Sequence, residues 1–306
     1  MYSWKRLLAV FAALALVLTA CGDDDSSGGD AAEAIDGPTI KIGAQDFGES
    51  IVLSEVYGQA MAAAGYDVSQ VEIGGFRDVL LAAFDADEVN FSAEYAASMV
   101  TFIADGGASG DVDSTVENLQ TALADIGLQA LDPSDAVDTN AFVVTAETAE
   151  DLGLAAISDL PADGEGITLG ASPDCETNEF CLPGLSSTYE IDLSSGFTPL
   201  SSDLIFSALT EGEVNVGVLF STDARIATEG LVLLEDDQSM LAADNVTPVL
   251  SDALVEAYGD DLVALINEVS AALTTENLTA MNERYQVDKD DADTIAADFL
   301  SENGLS

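Results

Sequence analysis

The chain has 306 residues, 48% of them apolar, with 57 Asp and Glu against 7 Lys and Arg and no His, for a formal net charge of −50. So acidic a surface excludes nucleic acid as a partner on electrostatics alone, and without His neither Ser-His-Asp or Cys-His catalysis nor a His-based zinc site is available. There is no GxxxxGK[ST] loop, and acid clusters such as 85–88 and 288–293 lack the spacing and Gly of a calcium loop, so no catalytic residue, metal or cofactor is assigned.

Lys5 and Arg6 precede an apolar run that ends in Leu18-Thr19-Ala20-Cys21. A basic start, a short apolar core and small residues before the cut make residues 1–21 an export signal, too short to be a convincing membrane span. Cys21 stands where a bacterial lipoprotein box places its acylated cysteine. The expectation is an extracytoplasmic protein held to the cell membrane by an N-terminal lipid alone. After the signal, all 57 acids but five bases remain (Lys41, Arg77, Arg225, Arg284, Lys289), a formal −52. We read this as a salt-exposed surface, because a compact state so charged repels itself unless ions screen it. Residues 22–37, rich in Asp, Gly, Ser and Ala, form a flexible tether.

The fold begins at Thr39. TIKIGA (39–44) alternates like a strand and leads into a helix with apolar residues Leu53, Val56, Tyr57, Ala60, Met61 and Ala64 at i, i+3, i+4 spacing. VEIGG (71–75) reads as the next strand, DVLLAAFDA as a helix, and VNFSAEY (89–95) as a third strand. Ser114 and Glu117 have the spacing of a capping box opening a further helix. A second set comprises AFVVT (141–145), ITLGAS (167–172), a helix over 202–210, VNVGVLF (214–220) and LVLLEDD (231–237). NVTPVLS then reads as a crossing strand, and the tail from Asp252 is helical. Strands alternating with helices predict an α/β fold with mainly parallel sheet.

An internal echo divides the chain into two lobes: 80–95 and 205–220 align without gaps at an offset of 125, with Glu88-Val89-Asn90 on Glu213-Val214-Asn215 and Tyr95 on Phe220. Ligands of open α/β sheets bind outside the carboxyl ends of strands, so Tyr95 and Phe220 are expected to face one crevice. Asp46 and Phe47 follow the first strand, and Phe76 and Arg77 the second. Asn140 stands at the lobe crossing. Phe47, Phe76, Tyr95 and Phe220 would form an aromatic wall suited to a quaternary ammonium group, which has no protons demanding hydrogen bonds. Arg77 is the candidate partner for a carboxylate; its alternative is an internal pair with Asp78 or Glu94. Tyr57, Tyr189 and Tyr258 are read as packing residues. With Cys21 lipidated, Cys175 and Cys181 are the remaining thiols of an oxidising compartment and are expected to form a local disulfide on the cleft rim.

IGAQDFGES, GGFRDV, EYAAS, EVNVGVLFSTDARI and LVLLEDD, in that order and at these separations, resemble the substrate-binding lipoproteins of osmoprotectant ABC transporters, the glycine betaine/choline/carnitine family, over roughly 38–304. The resemblance implies a type II periplasmic-binding-protein fold: two α/β lobes with a hinge, closing on a quaternary amine held in an aromatic cage. Tyr95 matches the Tyr of the family's P-E-Y-T-G-T segment, Phe220 the Tyr before its S/T-T-D-G, and Thr222 and Asp223 the Thr-Asp of that second motif. The chain departs from the pattern at Phe220, which lacks a hydroxyl, at Ala96-Ala97 for Thr-Gly, at Ala224 for Gly, and at Gln45, where many members carry Lys. The implied lobes are 38–137 plus 241–306, and 138–240. The implied function is capture of an osmoprotectant such as glycine betaine or choline by a monomer that delivers it to an ABC permease with a separate ATPase. The alternative is a binder of the same fold for an amino acid or polyamine.

Overall fold

The structure, a computed structural model, describes residues 34–306 apart from 105, 109, 110 and 243. The export signal, Cys21 and most of the tether lie outside the described residues. Two five-stranded sheets organise the chain. One contains β1 (Ile40–Ala44), β2 (Val68–Glu72), β3 (Phe91–Tyr95), β4 (Leu128–Ala130) and β10 (Val246–Ser251), in the order β2-β1-β3-β10-β4. The other contains β5 (Asn140–Thr145), β6 (Leu169–Ala171), β7 (Phe197–Pro199), β8 (Val216–Phe220) and β9 (Leu231–Leu233), in the order β7-β6-β8-β5-β9.

Both sheets are mixed, a correction to the expectation of mainly parallel pairing. β1 runs parallel to β2 and β3, and β6 to β7 and β8. β10 is antiparallel to β3 and β4, and β5 to β8 and β9. β5 and β10 are the strands that follow the two crossings between sheets, so each enters its sheet from the crossing's end and runs against its neighbours.

The first lobe buries both faces of its sheet. On one side α1 (Gly48–Ala63) is packed between the sheet and the C-terminal helices α10 (Asp260–Ala272) and α12 (Ala292–Asn303), which bury Leu53, Tyr57 and Phe91 with Ile266, Ile295 and Phe299. On the other, α2 (Arg77–Asp85), α3 (Ala96–Ala104) and α4 (Val112–Ala124) bury Leu80, Met99 and Leu119. The core of the second lobe gathers Phe142, Ile157, Leu169 and Leu185 around a Cys175–Cys181 disulfide with Cα atoms 5.1 Å apart. Gly184 has no room for a side chain: an added Cβ would lie 2.1 Å from the Glu179 carbonyl oxygen of the disulfide loop.

The echo between the lobes is a structural repeat. α2 and β3 correspond at an offset of 125 to α7 (Ser202–Thr210) and β8, the other helices being α5 (Ala146–Leu152), α6 (Leu182–Thr188), α8 (Arg225–Thr228), α9 (Asp252–Tyr258) and α11 (Thr275–Glu283). In both, the Glu backbone N–H returns to the preceding helix, Glu88 to the Ala83 carbonyl at 2.9 Å and Glu213 to the Ala208 carbonyl at 2.8 Å. In both, the Asn side chain clips the turn to the neighbouring strand. Asn90 accepts from the Lys41 N–H (2.7 Å) and donates to the Thr39 carbonyl (3.0 Å). Asn215 accepts from the Thr168 N–H (2.8 Å) and donates to the Gly166 carbonyl (2.7 Å).

Several boundaries differ from the sequence reading. The second strand is 68–72, because β1 fixes its register from Ile40–Val68 to Ala44–Glu72, and Gly74 then leaves the extended region with φ +64°. α4 opens at Val112 with Asp111 as N-cap, its carboxylate accepting from the Ser114 N–H, so the Ser114/Glu117 pair lies inside the helix. The three-residue strands β4 and β7 carry no alternation long enough to read.

Candidate functional site

The carboxyl ends of β1, β3 and β8 and the crossing into β5 enclose a cavity of about 450 Å³, a size usual for small-solute sites. Its aromatic wall comes from both lobes: Phe47 after β1, Phe76 at the start of α2, Tyr95 at the end of β3 and Phe220 at the end of β8. Phe47 is stacked on Phe220 with centroids 5.5 Å apart, and its centroid lies 6.1 Å from that of Tyr95. Phe102 on α3 and Phe180 in the disulfide loop complete the wall. Phe76 and Phe102 are 44% and 52% exposed, so their faces are open to a guest.

The disulfide loop forms part of the rim. Asp174, Asn178 and Phe180 line the cavity, and Asn140 positions the loop by donating to the Phe180 carbonyl at 3.0 Å. Arg77 also lines the cavity, but its fork is turned onto Glu94: Nε and Nη2 reach Oε2 at 3.1 and 2.9 Å. Glu94 has no exposed surface and further accepts from Gln45 Nε2 at 2.9 Å. This is the internal pair that the sequence left as the alternative for Arg77.

Beneath the aromatic wall lies a buried acid cluster that ties the lobes together. Glu49, in the first turn of α1, accepts from the Tyr95 hydroxyl (2.5 Å), the Thr222 hydroxyl (2.6 Å) and the Asn282 amide. Asp138, at the crossing before β5, accepts from the Ser221 hydroxyl and the Thr222 N–H, each at 3.1 Å. Burial raises the Glu49 carboxyl above its ordinary range, and burial together with the Glu49 charge holds Asp138 well above it. Two carboxyls in one dry site do not both ionise cheaply, so each raises the proton affinity of the other. Asp244 caps α3 by accepting from the Ala97 and Ser98 N–H groups at 2.8 and 3.1 Å; burial pushes its carboxyl up to about 6.

Of the residues singled out in the sequence, Phe47, Phe76, Arg77, Tyr95, Asn140 and Phe220 converge on the cavity. Asp46, Thr222 and Asp223 do not line it. Thr222 is buried against Glu49, and Asp223 is paired with Arg225 at 2.5 Å. Tyr57, Tyr189 and Tyr258 are engaged elsewhere, with Ser270, Asp236 and the Pro38 carbonyl. Sequence reasoning missed Phe102, Phe180, Glu49, Asp138, Asp174 and Asp244. Phe180 carried a usable signal in its place inside Cys-x₅-Cys; the acids are four among 57 and carried none.

Residues 38–302 match the family model described as the substrate binding domain of ABC-type glycine betaine transport systems. The chain is 24% identical over 277 residues to a glycine-betaine-binding protein of Pseudomonas aeruginosa, covering 87% of this chain and 88% of that one. Its fold is that of a crystal structure of a glycine betaine/carnitine/choline ABC transporter (TM-score 0.70, 21% identity, 87% of this chain and 99% of the other). It also matches lactococcal OpuAC closed on glycine betaine (TM-score 0.65, 15% identity, 87% and 96%). Two mixed α/β sheets, aromatic residues from both lobes in one cavity and a family match spanning nearly the whole described chain lead to one conclusion: this protein belongs to the substrate-binding domains of ABC-type glycine betaine transport systems.

Proposed function

We propose that the protein is the extracytoplasmic receptor of an ABC importer, capturing a quaternary-ammonium osmoprotectant between its lobes and delivering it to a permease driven by a separate ATPase. One observation carries the reading: Phe47, Tyr95 and Phe220, from two lobes, surround one cavity whose rim is acidic. Aromatic faces attract cations, and a methylated ammonium loses no hydrogen bonds on leaving water. The segments at 136–140 and 236–246 act as the hinge between lobes 38–137 plus 241–306 and 138–240, and the closed form docks on the permease. Thr222 supports the wall from outside it, through the Glu49 carboxylate that also holds Tyr95. Export and acylation at Cys21 keep the receptor beside its permease as a monomer.

Isothermal titration of the secreted protein with Cys21→Ser tests this. Heat is expected from choline, glycine betaine or carnitine and none from glycine, arginine or spermidine. Binding that ignores methylation of the amine would return the site to the amino-acid or polyamine reading.

A further inference from the structure

Resting on that reading, we infer that the cleft selects quaternary amines of net positive charge, of the choline type, over zwitterions that carry a carboxylate.

Charge is distributed unevenly around the cavity. Among the described residues lining it, Arg77 is the one base. A guest carboxylate would need the Arg77 fork, but the fork already holds a carboxylate of this chain. Nε and Nη2 both converge on Glu94 Oε2, and Gln45 Nε2 and the Tyr95 N–H complete the coordination of Glu94 at 2.9 and 3.2 Å. Glu94 is fully buried and Arg77 is the one cation paired with it, so withdrawing the guanidinium would strand a buried charge. The pair is therefore neutral in sum, and the Nε–Nη2 edge of the guanidinium is already occupied.

The remaining charge on the wall is negative. Asp78, Asp138, Asp174 and Asp244 line the cavity, and among the described residues none of them forms an ion pair with Lys or Arg. Asp174 and Asp244 accept hydrogen bonds from neutral donors, the Ser172 hydroxyl and Asn178 amide for the first, and the start of α3 with the Ser98 hydroxyl for the second, while the Arg77 charge reaches Asp244 only beyond ion-pair distance. A trimethylammonium head gains from these carboxylates and from the aromatic faces together. A carboxylate on the same guest meets this acidic lining, where the one basic charge is already offset by Glu94. Specificity here comes as much from repulsion of the zwitterion as from attraction of the cation.

Titration of the Cys21→Ser protein with choline, tetramethylammonium, glycine betaine and carnitine in 0.05 M and 1 M NaCl tests the inference. Choline is expected to bind at least tenfold more tightly than glycine betaine or carnitine at low salt. The gap should narrow in 1 M NaCl as screening removes the field. Asp174→Asn, on the exposed rim, should weaken choline severalfold and leave glycine betaine equal or tighter. Glu94→Gln frees the Arg77 charge and should shift the ratio toward glycine betaine. Zwitterion binding equal to or tighter than that of choline overturns the charge selection while leaving the osmoprotectant receptor standing. Absence of heat from every methylated amine removes the receptor reading itself, and this inference with it.

Discussion

Glu49 shows how much of the cleft depends on single polar contacts under the aromatic wall. Tyr95 serves twice, lending its ring to the cavity and its hydroxyl to Glu49. Tyr95→Phe keeps the ring and removes a donor from a buried carboxyl, which costs about 1–3 kcal/mol. Urea unfolding should read that loss while titration shows ligand affinity changed much less than in Tyr95→Ala; equal effects from the two variants would place the ligand contact on the hydroxyl. Asp244 gives a second test. Its folded carboxyl titrates near 6 against an ordinary 3.8, so the native state keeps a proton that the unfolded chain has lost between those values. Its contribution is full below pH 4 and is lost as pH rises through 6. Asp244→Asn should therefore gain on wild type by up to about 3 kcal/mol from pH 4 to pH 7, read as the difference between two urea-derived stability profiles. A pH-independent difference would show that Asp244 is not the group titrating. In the sequence Phe47, Phe76, Tyr95 and Phe220 were legible because each ends or follows a strand, whereas Phe102 on a helix and Phe180 in the disulfide loop were not. Its acids were not: Asp138 and Asp244 differ from dozens of solvated neighbours only by burial, which long-range packing decides.

At the scale of elements the repeated turn carries the most information. The position before Glu is left-handed in the first lobe at Asp87 (φ 53°), while in the second the matching position is Gly212 (φ 74°). A non-glycine residue in that region is strained, though Asp less than most. The Lys41–Asp87 ion pair is largely exposed and contributes little. Asp87→Gly should thus be neutral or stabilising by up to about 1 kcal/mol, the added freedom of the unfolded chain offsetting part of the gain; a clear loss in thermal midpoint would show the ion pair outweighing the backbone. The disulfide loop makes the opposite case, function more than stability. Closing so short a loop is worth about 2 kcal/mol at most in chain entropy, yet Asp174, Asn178 and Phe180 on it face the cavity. Reduction, or Cys175→Ser with Cys181→Ser, is expected to lower ligand affinity tenfold or more while the protein stays folded. Long alternating or periodic segments such as β1, α1 and α7 could be read from residues alone. β4 and β7 could not, since LQA and FTP carry no alternation long enough to read and take strand geometry from the neighbours that pair with them.

The whole molecule carries its charge asymmetrically in energy as well as in number. Lys41, Arg77, Arg225 and Arg284 all lie against carboxylates, so the described cations are largely spent on local pairs and the remaining acids face one another across the surface. The division into two α/β lobes was legible because the same turn recurs at a fixed offset; the mixed sense of the sheets was not, because it follows from where the chain crosses between lobes. Net charge, by contrast, needs no structure to act. At a formal −50 the compact state holds its charges closer together than the unfolded chain does, so repulsion opposes folding and salt relieves it. Screening lengths fall from about 30 Å at 0.01 M to about 10 Å at 0.1 M and 3 Å at 1 M, spanning the dimensions of a lobe. The thermal midpoint should therefore rise steeply over the first few tenths molar NaCl and then flatten. Sodium sulfate matched for ionic strength should follow the same initial curve and diverge only at high concentration, where surface exclusion adds to screening. A midpoint that stays flat below 0.2 M would mean that bound counter-ions or protonated surface acids already neutralise the field. The electrostatic preference proposed for the cleft would then have to survive without its long-range component.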